Sequence, residues 1–392
     1  MMNKNEWKKV KLGDIFDLQM GKTPSRNNRN YWENGTNNWI SISDIKENEK
    51  YIEKTKEKIT DIAIQESKIK CIPKNTVIMS FKLSVGKVAI TSKDIYTNEA
   101  VVAFLPKNLN IIDNNYLYYF LPKINWSKGI NKAVKGLTLN KPLISNKVIS
   151  FPDLQTQKQI AEKLDLLSYI LNLKKKQLFE LEKLVKFQFL KMFDLPNSNK
   201  YNFKLGTIRD YVSSIQYGTS KPATLNGRYK YLRMNNITYD GYLDISDLKT
   251  IDLSDSEFEK FSVKYGDVLF NRTNSPELVG KTCVFNLNTP MIIAGYIIKV
   301  QLNNKVLPEY ISTMLNTSYG KKILYNISKK SIGQANINAQ ELQNIKILIP
   351  PIELQNKFAE FVKQVDKSKV ELQKSIDETQ LLFDSLMDKY FG

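Results

Sequence analysis

From Gln157 to about Phe193 the chain has no proline or glycine, and apolar residues recur at alternating spacings of four and three. One row runs Leu164, Leu171, Leu178, Val185, Met192, and the other Ile160, Leu167, Lys174, Leu181, Gln188. A seam of that period predicts a coiled-coil helix. The pattern returns 198 residues later, with Val362, Lys369, Ile376, Phe383, Tyr390 in one row and Phe358, Val365, Leu372, Thr379, Leu386 in the other. Each helix, roughly 37 residues long, would extend about 55 Å, more than the width of a small domain. Lone polar residues interrupt the two seams at different levels, so neither suits pairing with a copy of itself. Pairing with each other as an antiparallel coiled coil fits better than two ordinary amphipathic helices, each lying on its own domain.

Residues 1–152 and 198–350 are patterned differently. Branched and aromatic runs at Thr76 to Phe81, Val88 to Ile90, Val101 to Leu105, Val268 to Phe270 and Met291 to Val300 predict strands. Helices are expected at Asp61 to Ile69, Tyr116 to Phe120, Pro308 to Leu315 and Ser318 to Tyr325. The two regions also echo one another. Lys11-Leu12-Gly13 returns as Lys204-Leu205-Gly206, Trp39 to Ile45 as Tyr231 to Ile237, and Val77 to Ser80 as Val268 to Asn271. Phe151-Pro152-Asp153-Leu154-Gln155-Thr156-Gln157 aligns with Ile349-Pro350-Pro351-Ile352-Glu353-Leu354-Gln355 where each long helix opens. A period near half the chain makes each half a folding unit with its own core. The expected fold is mixed α/β (α+β): two tandem, pseudo-twofold-related domains, 1–152 and 198–350, each followed by a long helix, 153–197 and 351–392. Framework segments match while residues 23–36 and 216–228 share almost no identity, as two binding sites of different specificity require.

Composition narrows the ligand. Against 40 acidic residues stand 58 Lys plus Arg, a net charge of +18. This favours a polyanion such as nucleic acid, although a Lys- and Asn-rich chain also arises from genomic base composition alone. Two cysteines at non-equivalent places, Cys71 and Cys283, argue against a disulfide framework. The start carries no apolar signal region, and the longest apolar stretch, Met291 to Ile298, is too short to span a bilayer. A cytoplasmic protein with no membrane partner is expected.

The chemistry of catalysis is sparse. With no histidine, a His-based triad, general base or metal ligand is excluded. Gly21-Lys22-Thr23 and Gly280-Lys281-Thr282 resemble ends of a phosphate-binding loop, but the glycine needed five residues earlier is Phe16 or Ser275. Both read as turns. Pro152-Asp153 lacks the acidic-x-Lys partner of a nuclease motif and suits a helix N-terminus instead. Pro350-Pro351 lies between isoleucines with no Gly-rich cofactor loop before it. No active site emerges, and no cofactor is expected in this chain.

The tandem plan resembles the DNA-specificity subunit of type I restriction-modification systems, over essentially the whole chain. The resemblance is carried by Trp7 to Asp14, Gly21-Lys22-Thr23-Pro24-Ser25, Tyr31-Trp32, Trp39-Ile40, Ser84 to Ile90, and Ile149-Ser150-Phe151-Pro152 with Gln157-Lys158-Gln159-Ile160. The second half departs more: Thr207 stands for Asp14, and no Trp aligns with Trp7 or Trp39. The resemblance implies a non-catalytic reader of double-stranded DNA. Two modification subunits using S-adenosylmethionine and restriction subunits using ATP and Mg would be its partners. Each domain would read half of a bipartite asymmetric target, with the coiled coil as spacer and docking site.

Residue type and loop position suggest DNA contacts at Lys22, Ser25, Arg26, Ser43, Lys82, Ser84, Lys87, Lys135 and Thr138 in the first half. The second half offers Tyr217, Ser220, Lys221, Arg233, Asn235, Arg272, Asn274, Lys281, Lys330, Gln334 and Asn336. Arg233 and Arg272 suit guanine, and Asn235 and Asn274 adenine, in bidentate pairing. Lys135 and Lys330, ahead of Gly-containing loops, suit phosphate. Rival readings are a coiled-coil assembly scaffold, an orphan DNA-binding cassette without a working restriction complex, and an enzyme of carboxylate chemistry.

Overall fold

The computed structural model describes residues 7–46, 49–126, 139–193 and 201–392. The chain forms two compact units, residues 1–173 with 377–392 and residues 174–376. The long helices are therefore not separate bodies: each contributes one stretch to either unit. Both are longer than expected, Leu154–Phe193 and Ile352–Phe391, 40 residues each.

In the first unit a five-stranded sheet has the order Phe16–Met20, Val101–Pro106, Val77–Ser80, Val88–Thr91, Tyr51–Ile52. It is antiparallel except for the last pair. Val77–Ser80 and Val88–Thr91 are buried along their whole length, because the strand period of two sends alternate residues into different cores. Val77, Met79, Val102 and Phe104 join a core with Tyr116, Phe120, Ile160 and Leu164, whereas Ile78, Val101 and Ala103 join another with Ile40 and Ile95. The second unit repeats the device. Its sheet runs Val212–Tyr217, Ile297–Leu302, Val268–Asn271, Thr282–Val284, with Val268 and Phe270 on one side and Leu269 on the other. The helices expected from sequence are present as Asp61–Ser67, Asn114–Phe120, Pro308–Asn316 and Ser318–Ile327. One expectation needs correction: the apolar run from Met291 to Val300 is two strands in different sheets, Met291–Ile293 and Ile297–Leu302. The chain turns between them at Ala294-Gly295-Tyr296, where the Gly295 amide bonds the Thr219 carbonyl at 2.7 Å.

Each long helix is entered through the same joint. A two-stranded antiparallel ribbon precedes it, Lys8–Lys11 with Val148–Phe151 or Lys204–Thr207 with Lys346–Ile349. One turn inside the helix sits a glutamine with no solvent exposure, Gln157 or Gln355. Gln157 Oε1 accepts from the Asp113 amide at 2.9 Å while Nε2 donates to the Ile111 and Pro152 carbonyls. Gln355 does the same with the Leu307 amide and the Lys305 and Pro350 carbonyls. Asp113 and Leu307 are the residues before Asn114–Phe120 and Pro308–Asn316, so each glutamine fastens a long helix to the start of a short one. Asp153 caps the first long helix, accepting from the Thr156 amide at 3.0 Å.

Of the expected seam residues, Ile160, Leu164, Leu171, Val185, Phe358, Val365 and Ile376 are buried and most others half-buried, while Phe189, Phe193 and Met387, outside the expected rows, are buried beside them. In the first unit Ile160 and Leu164 share a core with Phe383, Leu386, Met387 and Tyr390, and the Phe391 ring lies 5.3 Å from Tyr116. In the second, Phe189 and Phe193 interlock with Phe358 and Tyr310 at centroid distances of 4.8 to 5.5 Å. Lys174 donates to Ser375, Glu182 meets Lys369 at 3.5 Å, and Phe189 meets Phe358. Partner numbers fall as those of the first helix rise, so this stretch is antiparallel. The polar seam positions Lys174 and Lys369 are thereby satisfied rather than wasted. Lys369 also lies 3.0 Å from the Tyr242 ring centroid, and burial lowers its pKa. Among the described residues no helix is long and apolar enough to cross a membrane, and no cluster of three or more His, Cys, Asp or Glu could hold a metal.

Candidate nucleic-acid interface

In the second unit several loop segments that are distant in sequence close around a concavity of about 700 Å³. The Thr219–Ala223 loop, the end of Tyr229–Leu232 with Arg233 and Asn235, Arg272 after the central strand, the Ala294-Gly295-Tyr296 turn and Asn336 line it. Gly218 makes the approach possible, since a Cβ there would stand 2.2 Å from the Ile293 carbonyl oxygen. Six of the eleven candidates proposed from sequence for this half, Ser220, Lys221, Arg233, Asn235, Arg272 and Asn336, meet at this site.

Their engagement differs. Arg233 donates Nη2 to Asp247 at 2.9 Å. Arg272 donates Nη2 to Asn336 Oδ1 at 3.2 Å, and its guanidinium lies 4.8 Å from the Tyr217 ring centroid. Asn336 is itself fixed, its amide donating to Thr273 Oγ1 at 2.7 Å. The Nε atoms of both arginines are buried without a hydrogen-bond partner. Lys221 pairs with Glu257 at 2.6 Å and holds that carboxyl down at about 2. Tyr217, at the edge, accepts the Ala339 amide. Asn235 and Ser220 are exposed.

Four other candidates stand apart. Gln334 and Lys330 are exposed on the hairpin of Lys329–Ser331 and Gln334–Asn336, with the Lys330 ammonium 3.4 Å over the Tyr325 ring. Asn274 accepts the Ser275 amide, capping its own turn outside the concavity. Lys281 corrects the expectation of a DNA contact: it is buried, its ammonium donates to the Met234 carbonyl at 2.8 Å, and burial lowers its pKa. It braces the loop that carries Arg233 and Asn235.

In the first unit Lys22, Ser25 and Arg26 follow strand Phe16–Met20, where Lys22 donates its amide to the Thr97 carbonyl. Trp32 and Trp39 clamp this loop through indole N–H bonds to the Ser25 and Lys22 carbonyls, both 3.1 Å. Arg26 is engaged within the unit, over the Trp32 ring at 3.9 Å and ion-paired to Glu57. Lys82, Ser84 and Lys87 lie on the connection between Val77–Ser80 and Val88–Thr91. Thr23 donates to Glu99, and that bond first, then the charges of Lys82 and Arg26, lowers the Glu99 pKa. Thr23, Arg26 and Lys82 thus act on one carboxylate. Ser43 is exposed in the short turn Ile42–Asp44. Lys135 and Thr138 lie outside the described residues. Sequence reading missed Asp247, Thr219 and Tyr296; only the fold brings them beside the arginines.

The model of the type I restriction modification DNA specificity domain matches residues 4–183 and again 199–379. The chain belongs to this family. Among relatives of this specificity chain, the type I restriction enzyme MjaIX specificity subunit of Methanocaldococcus jannaschii is 22% identical, over 98% of this chain and 92% of its own. The EcoKI specificity subunit of Escherichia coli is 25% identical, over 66% of this chain and 59% of its own. The fold is shared with the S subunit of a type I system from M. genitalium, with TM-score 0.58, 15% identity, and coverage of 100% of this chain and 98% of that one. It is also shared with a chain from a structural study of complex assembly and conformational transition in the type I R-M system, with TM-score 0.60, 17% identity, and coverage of 98% and 97%.

Proposed function

We propose that this chain is the non-catalytic DNA reader of a type I restriction-modification complex, each unit taking one half of a bipartite asymmetric target in double-stranded DNA. The observation that carries this reading is one framework used twice, with matching ribbons and buried glutamines, under loops that present different side chains. Phosphates would be held by the excess of cationic side chains and bases read from the loops. Two modification subunits dock on the long helices, and restriction subunits join them. S-adenosylmethionine, ATP and Mg belong to those partners. The helices have apolar surface to offer: Leu166, Tyr169 and Leu173 are exposed in the first unit, and Phe179, Leu184, Phe187 and Leu190 in the second.

Selection from a pool of random duplexes by the full chain, purified with its modification subunits, tests the reading. Two specified segments should emerge, and affinity should fall with salt at a log–log slope of about −0.9 per phosphate neutralised. Binding without sequence preference, or insensitive to salt, would defeat it.

A further inference from the structure

The two units carry different side chains at positions where their backbones are bonded alike. Phe81 donates its amide to the Ala100 carbonyl and its carbonyl accepts the Leu139 amide, both at 2.9 Å. Arg272 does the same with the Tyr296 carbonyl and the Ile337 amide, also at 2.9 Å. A second pair behaves likewise. Ser41 donates its amide to Asp44 Oδ2, and Arg233 donates its own to Asn236 Oδ1, each at 2.8 Å. Both arginines of the concavity therefore occupy framework positions that the first unit fills with a buried phenylalanine and a serine.

The two arginines are not equivalent. Arg233 is ion-paired to Asp247, which offsets its charge. Arg272 has a neutral partner, Asn336, and is in no ion pair among the described residues. Its guanidinium is positioned before any ligand arrives, by the Tyr217 ring on one side and by an amide that Thr273 locks in orientation. A planar donor fork held this way loses little freedom on binding. Asn336 takes one bond from Nη2, leaving the other terminal N–H groups to donate. Guanine presents two acceptors, O6 and N7, on its major-groove edge, the pair that such a fork matches.

We propose that Arg272, positioned by Asn336 and Tyr217, reads a guanine in the half-site taken by the second unit, at a framework position where the first unit has Phe81 and no such reader. The inference rests on the DNA-reading function proposed above. Arg272 is a specificity-determining residue and Asn336 a positioning residue.

The random-duplex selection, repeated with Arg272→Ala and Arg272→Lys in the full chain with its modification subunits, tests it. The unaltered chain should require a guanine at one position of one segment, with single-base replacement there costing roughly 5- to 150-fold in affinity. Both variants should lose that requirement alone and keep every other specified base, which also reports that the protein is folded. Arg272→Lys retains the charge, so its loss of the guanine requirement separates the donor fork from simple electrostatics and supplies the test if the alanine variant does not fold. Asn336→Ala should weaken the same requirement and no other. Uniform weakening of all duplexes by both Arg272 variants would make Arg272 a phosphate contact and overturn the inference while leaving the reading intact, as would an unchanged requirement. An unaltered chain that selects no sequence would defeat the reading itself, and the inference with it.

Discussion

Replacing Gln355 probes the joint between the second long helix and its unit. Its side chain is fully buried and makes two bonds of 2.9 Å, to the Leu307 amide and the Pro350 carbonyl, and one of 3.3 Å to the Lys305 carbonyl. Removing the amide orphans the Leu307 N–H and the Pro350 carbonyl, each costing about 1–3 kcal/mol when buried, so a loss of about 3 kcal/mol is expected. Gln355→Met, which fills the space and excludes water, should cost at least as much as Gln355→Ala, which admits water to the orphaned groups. Amide hydrogen exchange gives the sharpest readout. If the helix start opens about 3 kcal/mol more easily, the Leu307 amide exchanges roughly 150-fold faster. The Asp113 amide, held by Gln157 in the other unit, should be unaffected and serves as the internal control. Unchanged Leu307 exchange in both variants would refute the reasoning, as would Gln355→Met being harmless.

Two further perturbations follow from burial. Phe189→Ala, inside the four-ring cluster, should lower stability by about 3–5 kcal/mol in urea unfolding, whereas Phe187→Ser, at a residue 64% exposed, should cost less than about 0.5 kcal/mol; equal losses would contradict the helix packing. Burial, followed by the charge of Lys186, pushes Lys321 down to about 8 from 10.5. Between those values the folded chain binds fewer protons than the unfolded one, so this group makes stability rise from about pH 8 to 10.5. Lys321→Met should flatten that part of the urea-midpoint profile, and an unchanged rise would show that the lysine is not its source.

The long helices were legible because a sustained heptad-like period free of proline and glycine predicts a long helix, and the repeat of Gln157 as Gln355 marked the joint. Strands such as Val77–Ser80 were legible from branched residues alone. The break at Gly295 was not, because a single glycine inside the apolar stretch from Met291 to Ile298 is equally compatible with one continuous strand. Lys281 misled for a related reason: composition counts a charge, but only the fold shows its ammonium spent on the Met234 carbonyl. The pairing of Arg272 with Asn336, 64 residues away, is likewise a product of topology. Ranking Arg272 above Arg233 and Asn274 required knowing that Arg233 is ion-paired and that Asn274 caps its own turn.

Under the proposed function this chain alone dictates which DNA is modified, one half-site per unit. Sequencing modified bases across the genome of cells that carry the modification subunit, with and without this chain, is the decisive measurement. One asymmetric motif of two specified segments separated by an unspecified gap of fixed length should appear, and only when the chain is present. The same motif without the chain, or a single uninterrupted motif with it, would rule out this role.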